Sequence, residues 1–137
     1  MSRSDLPVAE FGFPGPLRDA LVAAICAGTK TSTTSLLVEY EIEDEPIPTP
    51  GEHHLVVDSL GEPVTIIEIT DVQVTTLGAI DLRHAIDEGK GFTTVEQWRR
   101  EHEKFWRDPD FVTALGRPVE LTDSTQIVIE RFRVVEQ

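Results

Sequence analysis

The chain is short of cysteine, of positive charge and of long apolar runs, and each shortage excludes something. Cys26 is the single cysteine among 137 residues, so no internal disulfide can form; this fits a reducing compartment. Its place after Ile25 in a run of small residues predicts a small buried hydrophobe and not a reactive thiol. Twelve Lys and Arg stand against twenty-five Asp and Glu, a formal charge of −13. Such a surface repels a phosphate backbone, which argues against extended, non-specific DNA binding. No apolar stretch approaches the roughly 20 residues that a membrane span requires. Met1 to Glu10 carries Asp5 and Glu10 where a secretory signal would be apolar. The expectation is a cytoplasmic protein with no membrane contact. The four histidines lack metal-ligand spacing, His53 and His54 being adjacent and His84 and His102 isolated, so no metal or other cofactor is expected.

What is present suffices for a single domain over residues 1–137, with 39% apolar residues interleaved with charge. Leu17, Ala20, Leu21, Ala24 and Ile25 form one helical stripe, opened by Pro16 and closed by Gly28, which predicts a helix over 16–27. Thr34 to Ile42 fits either periodicity and is read as helix. The Glu43–Glu45 run and Pro46, Pro48 and Pro50 make the next stretch a solvated loop. Leu55–Asp58 and Val64–Thr75 read as a hairpin around Ser59–Glu62. In the longer arm the apolar pairs Val64 and Ile66, Ile67 and Ile69, Val72 and Val74 change phase twice, the mark of a bent or bulged strand. Helices are predicted over 79–88 and 94–106, the latter capped by Thr93 with Glu96 or Thr94 with Gln97, and a closing strand over 126–135. This order gives an α+β domain with a curved, mostly antiparallel sheet and helices packed on it.

Two polar signals stand out, Gly28-Thr29-Lys30-Thr31-Ser32-Thr33 and Asp87-Glu88-Gly89. Lys30 has two readings. It is a cation favoured by the dipole at a helix end, or a partly desolvated lysine that steadies an oxyanion or activates Thr31 or Thr33 as nucleophile. Glu88 sits where the macrodipole disfavours a carboxylate by about 0.3 to 1 kcal/mol, so something beyond local stability holds it there. Glu68, in phase with Val64, Ile66, Val72 and Val74, is either buried with a partner or at the open part of a barrel. Arg131 and Arg133 share a face of the last strand and pair carboxylates or hold a phosphate, surface pairing being the plainer use. His102 reads as a semi-buried histidine, and the Trp98, Phe105, Trp106 stripe as core.

Taken in order, these pieces resemble the ASCH domain family of the PUA-like superfamily, in its larger bacterial branch. The resemblance rests on Gly28-Thr29-Lys30-Thr31, Ser35-Leu36-Leu37, Ile67-Glu68-Ile69-Thr70 and Glu88-Gly89, with Trp98, Arg99, His102 and Phe105 and the Arg131-to-Val135 ending. It implies a small curved β-barrel with flanking helices and a cleft where lysine, threonines and glutamate converge. It also implies an amidohydrolase acting on N4-acetylcytidine, with Lys30 and Thr33 carried over from a Lys-Thr-x-Thr run and Glu88 from a His-Ala-x-x-Glu context that falls on His84 and Ala85. Gly28, Thr31, Ser32, Glu68 and Arg131 would complete the ligand site. The alternative implied activity is RNA binding or ribonuclease action. The partner is then a modified nucleoside or a short RNA, and the protein a monomer or homodimer. One departure is that Lys90, Gly91 and Phe92 stand where this branch often has an acidic residue, a glycine and an Asp.

Overall fold

A computed structural model describes residues 5–136. Five strands form one sheet in the order β1-β3-β4-β5-β2: β1 (Val8–Ala9), β2 (Ser32–Leu36), β3 (His53–Val57), β4 (Pro63–Thr76) and β5 (Gln126–Glu136). Every pairing is antiparallel except the short β1–β3 contact. Five helices flank it: α1 (Pro16–Ala27), α2 (Leu37–Glu43), α3 (Leu82–Asp87), α4 (Val95–Arg107) and α5 (Pro109–Leu115). The expected α+β, mostly antiparallel architecture is therefore the one observed. No helix among the described residues is long and apolar enough to cross a membrane.

The two phase changes in β4 are physical. The β4–β5 register shifts between Ile66 and Ile67 and again between Ile69 and Asp71, so the strand turns a different set of side chains inward after each bulge. Ile66, before the first shift, packs with Leu55 and Val57, whereas Ile67 and Ile69 join the first of two larger cores. Phe11, Val22 and Ile25 pack with Val56, Ile67, Ile69 and Phe132 on the α1 side. Leu36, Leu77, Ala85, Trp98, Trp106, Phe111 and Ile127 form the other, beneath α3 to α5.

Several local expectations shift by a few residues, each for a visible reason. Helix α1 has the predicted bounds, and Gly28 takes the left-handed conformation at its end, with φ of 82°. Its buried stripe is Arg18, Val22 and Ile25, whereas Leu17 is 39% exposed. Arg18 goes inside because its guanidinium donates to the carbonyls of Gly12 (2.7 Å) and Asp58 (3.4 Å), tying α1 to the β3–β4 turn. The Thr34–Ile42 segment is not one helix. Ser32–Leu36 pairs with β5, and the chain then turns into α2, where the Glu39 carboxylate accepts the Leu36 N–H at 2.7 Å. Helix α3 starts later than predicted because Asp81 caps it, its side chain accepting the His84 N–H at 2.9 Å. At the head of α4 the cap is Thr94, accepting from the Gln97 N–H.

Candidate functional site

The two polar signals of the sequence meet. The Thr31 N–H donates to the Asp87 carbonyl at 2.8 Å, and Gly89 lies flat against the Thr29–Lys30 backbone. A Cβ on Gly89 would fall 2.7 Å from the Thr29 carbonyl oxygen and 2.8 Å from Lys30 N and Cα, all backbone atoms, and its φ is +77°. Only glycine fits there. Gly89→Ala is expected to lower unfolding stability by about 1 to 3 kcal/mol, the usual cost of strained backbone; urea denaturation checks it.

Lys30 is no solvated helix-end cation, for it is 2% exposed. Its Nζ donates to the Ser32 carbonyl at 2.7 Å, lies 3.9 Å from Glu88 Oε1, and sits 5.8 Å from the Phe11 ring centroid. Burial pulls its ammonium down from an ordinary 10.5 to about 8. Glu88 and Glu130 push the other way, and nearby Lys90 adds to the fall.

Glu88 is a hub. Its Oε2 accepts from Thr34 Oγ1 (2.6 Å), Trp98 Nε1 (2.8 Å) and His84 Nε2 (3.1 Å), and its Oε1 from His102 Nε2 (3.0 Å). These donors, with Lys30, offset the unfavourable helix-end position that the sequence flagged. Burial alone would raise its pKa. The charge and hydrogen bond of His102, the bond from His84 and the charge of Lys30 outweigh burial and hold it well below 4.5. His102 also faces the Trp98 carbonyl through Nδ1 at 2.8 Å, so each ring nitrogen lies against an oxygen. Its ring stacks on Trp98 with centroids 4.2 Å apart.

The alternation of β2 sorts the hydroxyls. Ser32 and Thr34 face α3, where Ser32 Oγ donates to the His84 carbonyl and Thr34 Oγ1 to Glu88. Thr33 points to the opposite face, directly across from Glu130 on β5. Thr29 and Thr31 donate to carbonyls of Ala24 and Asp87, and the Thr33 hydroxyl has no hydrogen bond among the described residues. Glu130 is 7% exposed and accepts from the Tyr40 hydroxyl at 3.1 Å. Lys30, just ahead of the edge strand β2, thus feels a carboxylate from each face of the sheet.

Among the residues the sequence singled out, Lys30, Thr31, Ser32 and Glu88 come together; Gly28 closes α1 just ahead of them, and Thr33, expected to converge with Lys30 and Glu88, faces Glu130 on the other side of the sheet because side chains alternate along β2. Glu68 and Arg131 do not join them: Glu68 pairs with Arg133 across the β4–β5 ladder, and Arg131 reaches Asp87 at 2.7 Å, one residue short of Glu88. Lys90 lies over the Phe92 ring at 5.7 Å, at the outer end of the same loop. Sequence reasoning missed Thr34, His84, His102, Tyr40 and Glu130 as parts of the polar network. A signal existed for His84, whose spacing of four from Glu88 puts both on one helical face.

A mostly antiparallel sheet with helices on both faces, and a buried Lys–Glu couple where the first helix hands over to an edge strand, defines a small α+β domain with an enclosed polar cluster. The ASCH domain family model matches residues 8–136, and the chain belongs to that family. It is similar to the crystal structure of protein EF3133 from Enterococcus faecalis, at 25% identity and a TM-score of 0.82, covering 95% of this chain and 76% of that one. It is equally similar to the ASCH domain of Lactobacillus crispatus, at 25% identity and a TM-score of 0.82, covering 96% and 80%. The ZmASCH protein of Zymomonas mobilis shares the fold alone, at 10% identity and a TM-score of 0.52 over 84% of this chain and 63% of that one. No curated protein sequence matches the chain.

Proposed function

We propose that this ASCH domain binds a modified nucleoside in the cleft around Lys30 and hydrolyses its acyl amide, with N4-acetylcytidine as the type substrate. The observation that carries the reading is Lys30 itself: a lysine only 2% exposed with its pKa brought down to about 8, three residues before Thr33, whose hydroxyl has no hydrogen bond among the described residues. A buried charge is costly, and a fold retains one where it is used. In this reading the Thr33 oxygen attacks the acyl carbon, and neutral Lys30 takes its proton. Glu88 is a positioning residue. Its oxygens are occupied by protein donors, and its charge holds Lys30, His84 and His102 in place.

The RNA-binding alternative has less support. Arg83, Arg99, Arg107, Arg131 and Arg133 are each paired to a carboxylate, and the chain carries −13 overall, a balance that disfavours a phosphate backbone.

The test is a mass-spectrometric screen of the purified protein against N4-acylated cytidines and short RNAs, with Lys30→Met as control. Deacylated nucleoside from the wild type and none from the variant is the expected result. Product in both would mean contamination, and product in neither would sink the hydrolase reading. A gel shift on RNA that weakens steeply with salt would favour the alternative.

A further inference from the structure

The face of the sheet away from Glu88 holds a second polar group that the hydrolase reading leaves unused. Glu130 follows the apolar run Ile127-Val128-Ile129 of β5, directly opposite Thr33 in the β2–β5 ladder. Opposed residues of an antiparallel pair share a face, with Cβ atoms about 5 Å apart. The Glu130 carboxyl is nearly enclosed, and Tyr40 from α2 donates to its Oε2. Its Oε1 has no hydrogen bond among the described residues and is not among the fully sealed atoms without a partner.

The groups that bear on this carboxyl come from four segments. Tyr40 is held on α2 with help from Ser35 of β2, Lys30 precedes β2, and His54 of β3 is paired to Glu52 ahead of it at 3.1 Å. Burial raises the Glu130 pKa. The Tyr40 hydrogen bond and the charges of His54 and Lys30 oppose that rise, and Glu52 adds to it. The geometry is that of a nearly enclosed carboxyl, held by Tyr40, on the same face of the sheet as the Thr33 hydroxyl.

We propose that Glu130, seated by Tyr40, pairs with the ring N3 and exocyclic N4–H of an acylated cytosine and supplies the proton that the departing nucleobase needs. This rests on the hydrolase reading above. A neutral carboxylic acid fits that edge, since its O–H donates to N3 while its carbonyl accepts from N4–H. As the Thr33 oxygen bonds to the acyl carbon, the Thr33 proton passes to Lys30. The Glu130 proton moves to N3 as the C–N4 bond breaks, its electron pair stays on N4, and cytidine leaves as the neutral imino tautomer. Water then adds to the threonine ester, the acid departs, Thr33 regains its hydrogen, and the Lys30 proton returns to Glu130.

Glu130→Gln separates recognition from proton transfer, because an amide still offers one donor and one acceptor to the ring but cannot protonate it. Two acyl substrates are compared, N4-acetylcytidine and p-nitrophenyl acetate, whose phenolate leaves without a proton. The expected loss in kcat/KM on N4-acetylcytidine is about 10² or more, the usual weight of a general acid, and at least about tenfold greater than the loss on the ester. Equal losses on the two substrates, or no loss on the amide, overturn the assignment. Calorimetry with cytidine gives a readout independent of turnover. Affinity for the wild type should fall as pH rises and Glu130 loses its proton, and should be flat for Glu130→Gln.

If the wild type hydrolyses neither substrate, the hydrolase reading fails by itself, and the cytidine pH profile decides whether Glu130 reads the ring. Absent binding, or the same profile in both proteins, overturns it. Should Glu130→Gln fail to fold, Tyr40→Phe, which removes one hydroxyl, must show the same substrate-selective loss to a smaller degree. Equal effects on the two substrates overturn the proposal there too.

Discussion

Glu88→Gln is expected to destabilise the fold by about 3 to 5 kcal/mol, the cost of breaking a buried charge cluster by removing one partner. A carboxylate suits this position because it only accepts. Thr34, His84 and Trp98 converge on one oxygen and His102 on the other. An amide would turn an N–H₂ group toward one of these sets of donors and leave both sides unsatisfied, and the charges of Lys30 and His102 would lose their counter-ion. The sign with pH follows from the depressed pKa. In the unfolded chain the carboxyl titrates near 4.5, and in the folded protein well below. The stabilisation is therefore complete above about pH 4.5 and is lost as pH falls through the folded value. Chemical denaturation of both proteins at pH 7 and near pH 3 measures this. The gap between them should be wide at pH 7 and should narrow in acid, and a gap that does not depend on pH would contradict the hub.

Lys30→Met should do the opposite, abolishing turnover while leaving the fold as stable or more so. A loss in rate of about 10² to 10⁴ is the usual weight of a positioned base. The stability gain follows from the same burial that brings its pKa to about 8. The unfolded chain binds the Lys30 proton up to about pH 10.5 and the folded one only to about 8, so the wild type gains stability as pH rises between those values. The variant lacks that slope. On p-nitrophenyl acetate, whose leaving group needs no proton, the wild-type rate should climb with pH toward about 8, as the amine becomes neutral. Thermal melts and rate–pH profiles on the same two proteins check both halves. A variant that is markedly less stable would show Lys30 to be structural.

Much of the fold was legible because its signals are local. Pro16 and Gly28 mark the two ends of α1 within its own sequence. The phase changes of β4 appear in the order of its apolar pairs, since each bulge moves the buried face by one residue. Thr34–Ile42 misled because one alternating pattern spans a strand and a helix, and the change between them depends on Glu39 folding back onto the Leu36 amide. Helix α5 carried too little periodicity to be read, with Phe111 its one buried residue and Pro109 and the Asp108 cap its start.

The site divided in the same way. Lys30 and Glu88 lie in short motifs at chain reversals, and their meeting was an expectation from the sequence. Glu130 was not legible, because its meaning comes from standing opposite Thr33, a register set by β2 and β5 at far ends of the chain. His102 looked like core for a sound reason. It does stack on Trp98, and only its Nε2 reaches the carboxylate.

The bond from the Thr31 amide to the Asp87 carbonyl gives the cleft a clock. Any fluctuation that parts the end of α3 from the start of β2 breaks that bond, lifts Gly89 off Lys30 and dismantles the site in one motion. The exchange of this one amide hydrogen with solvent deuterium therefore counts the fraction of molecules in which the Lys30–Glu88 cluster is open. A ligand seated against Lys30 should slow it, while amides in the middle of β4 keep time with unfolding of the whole domain.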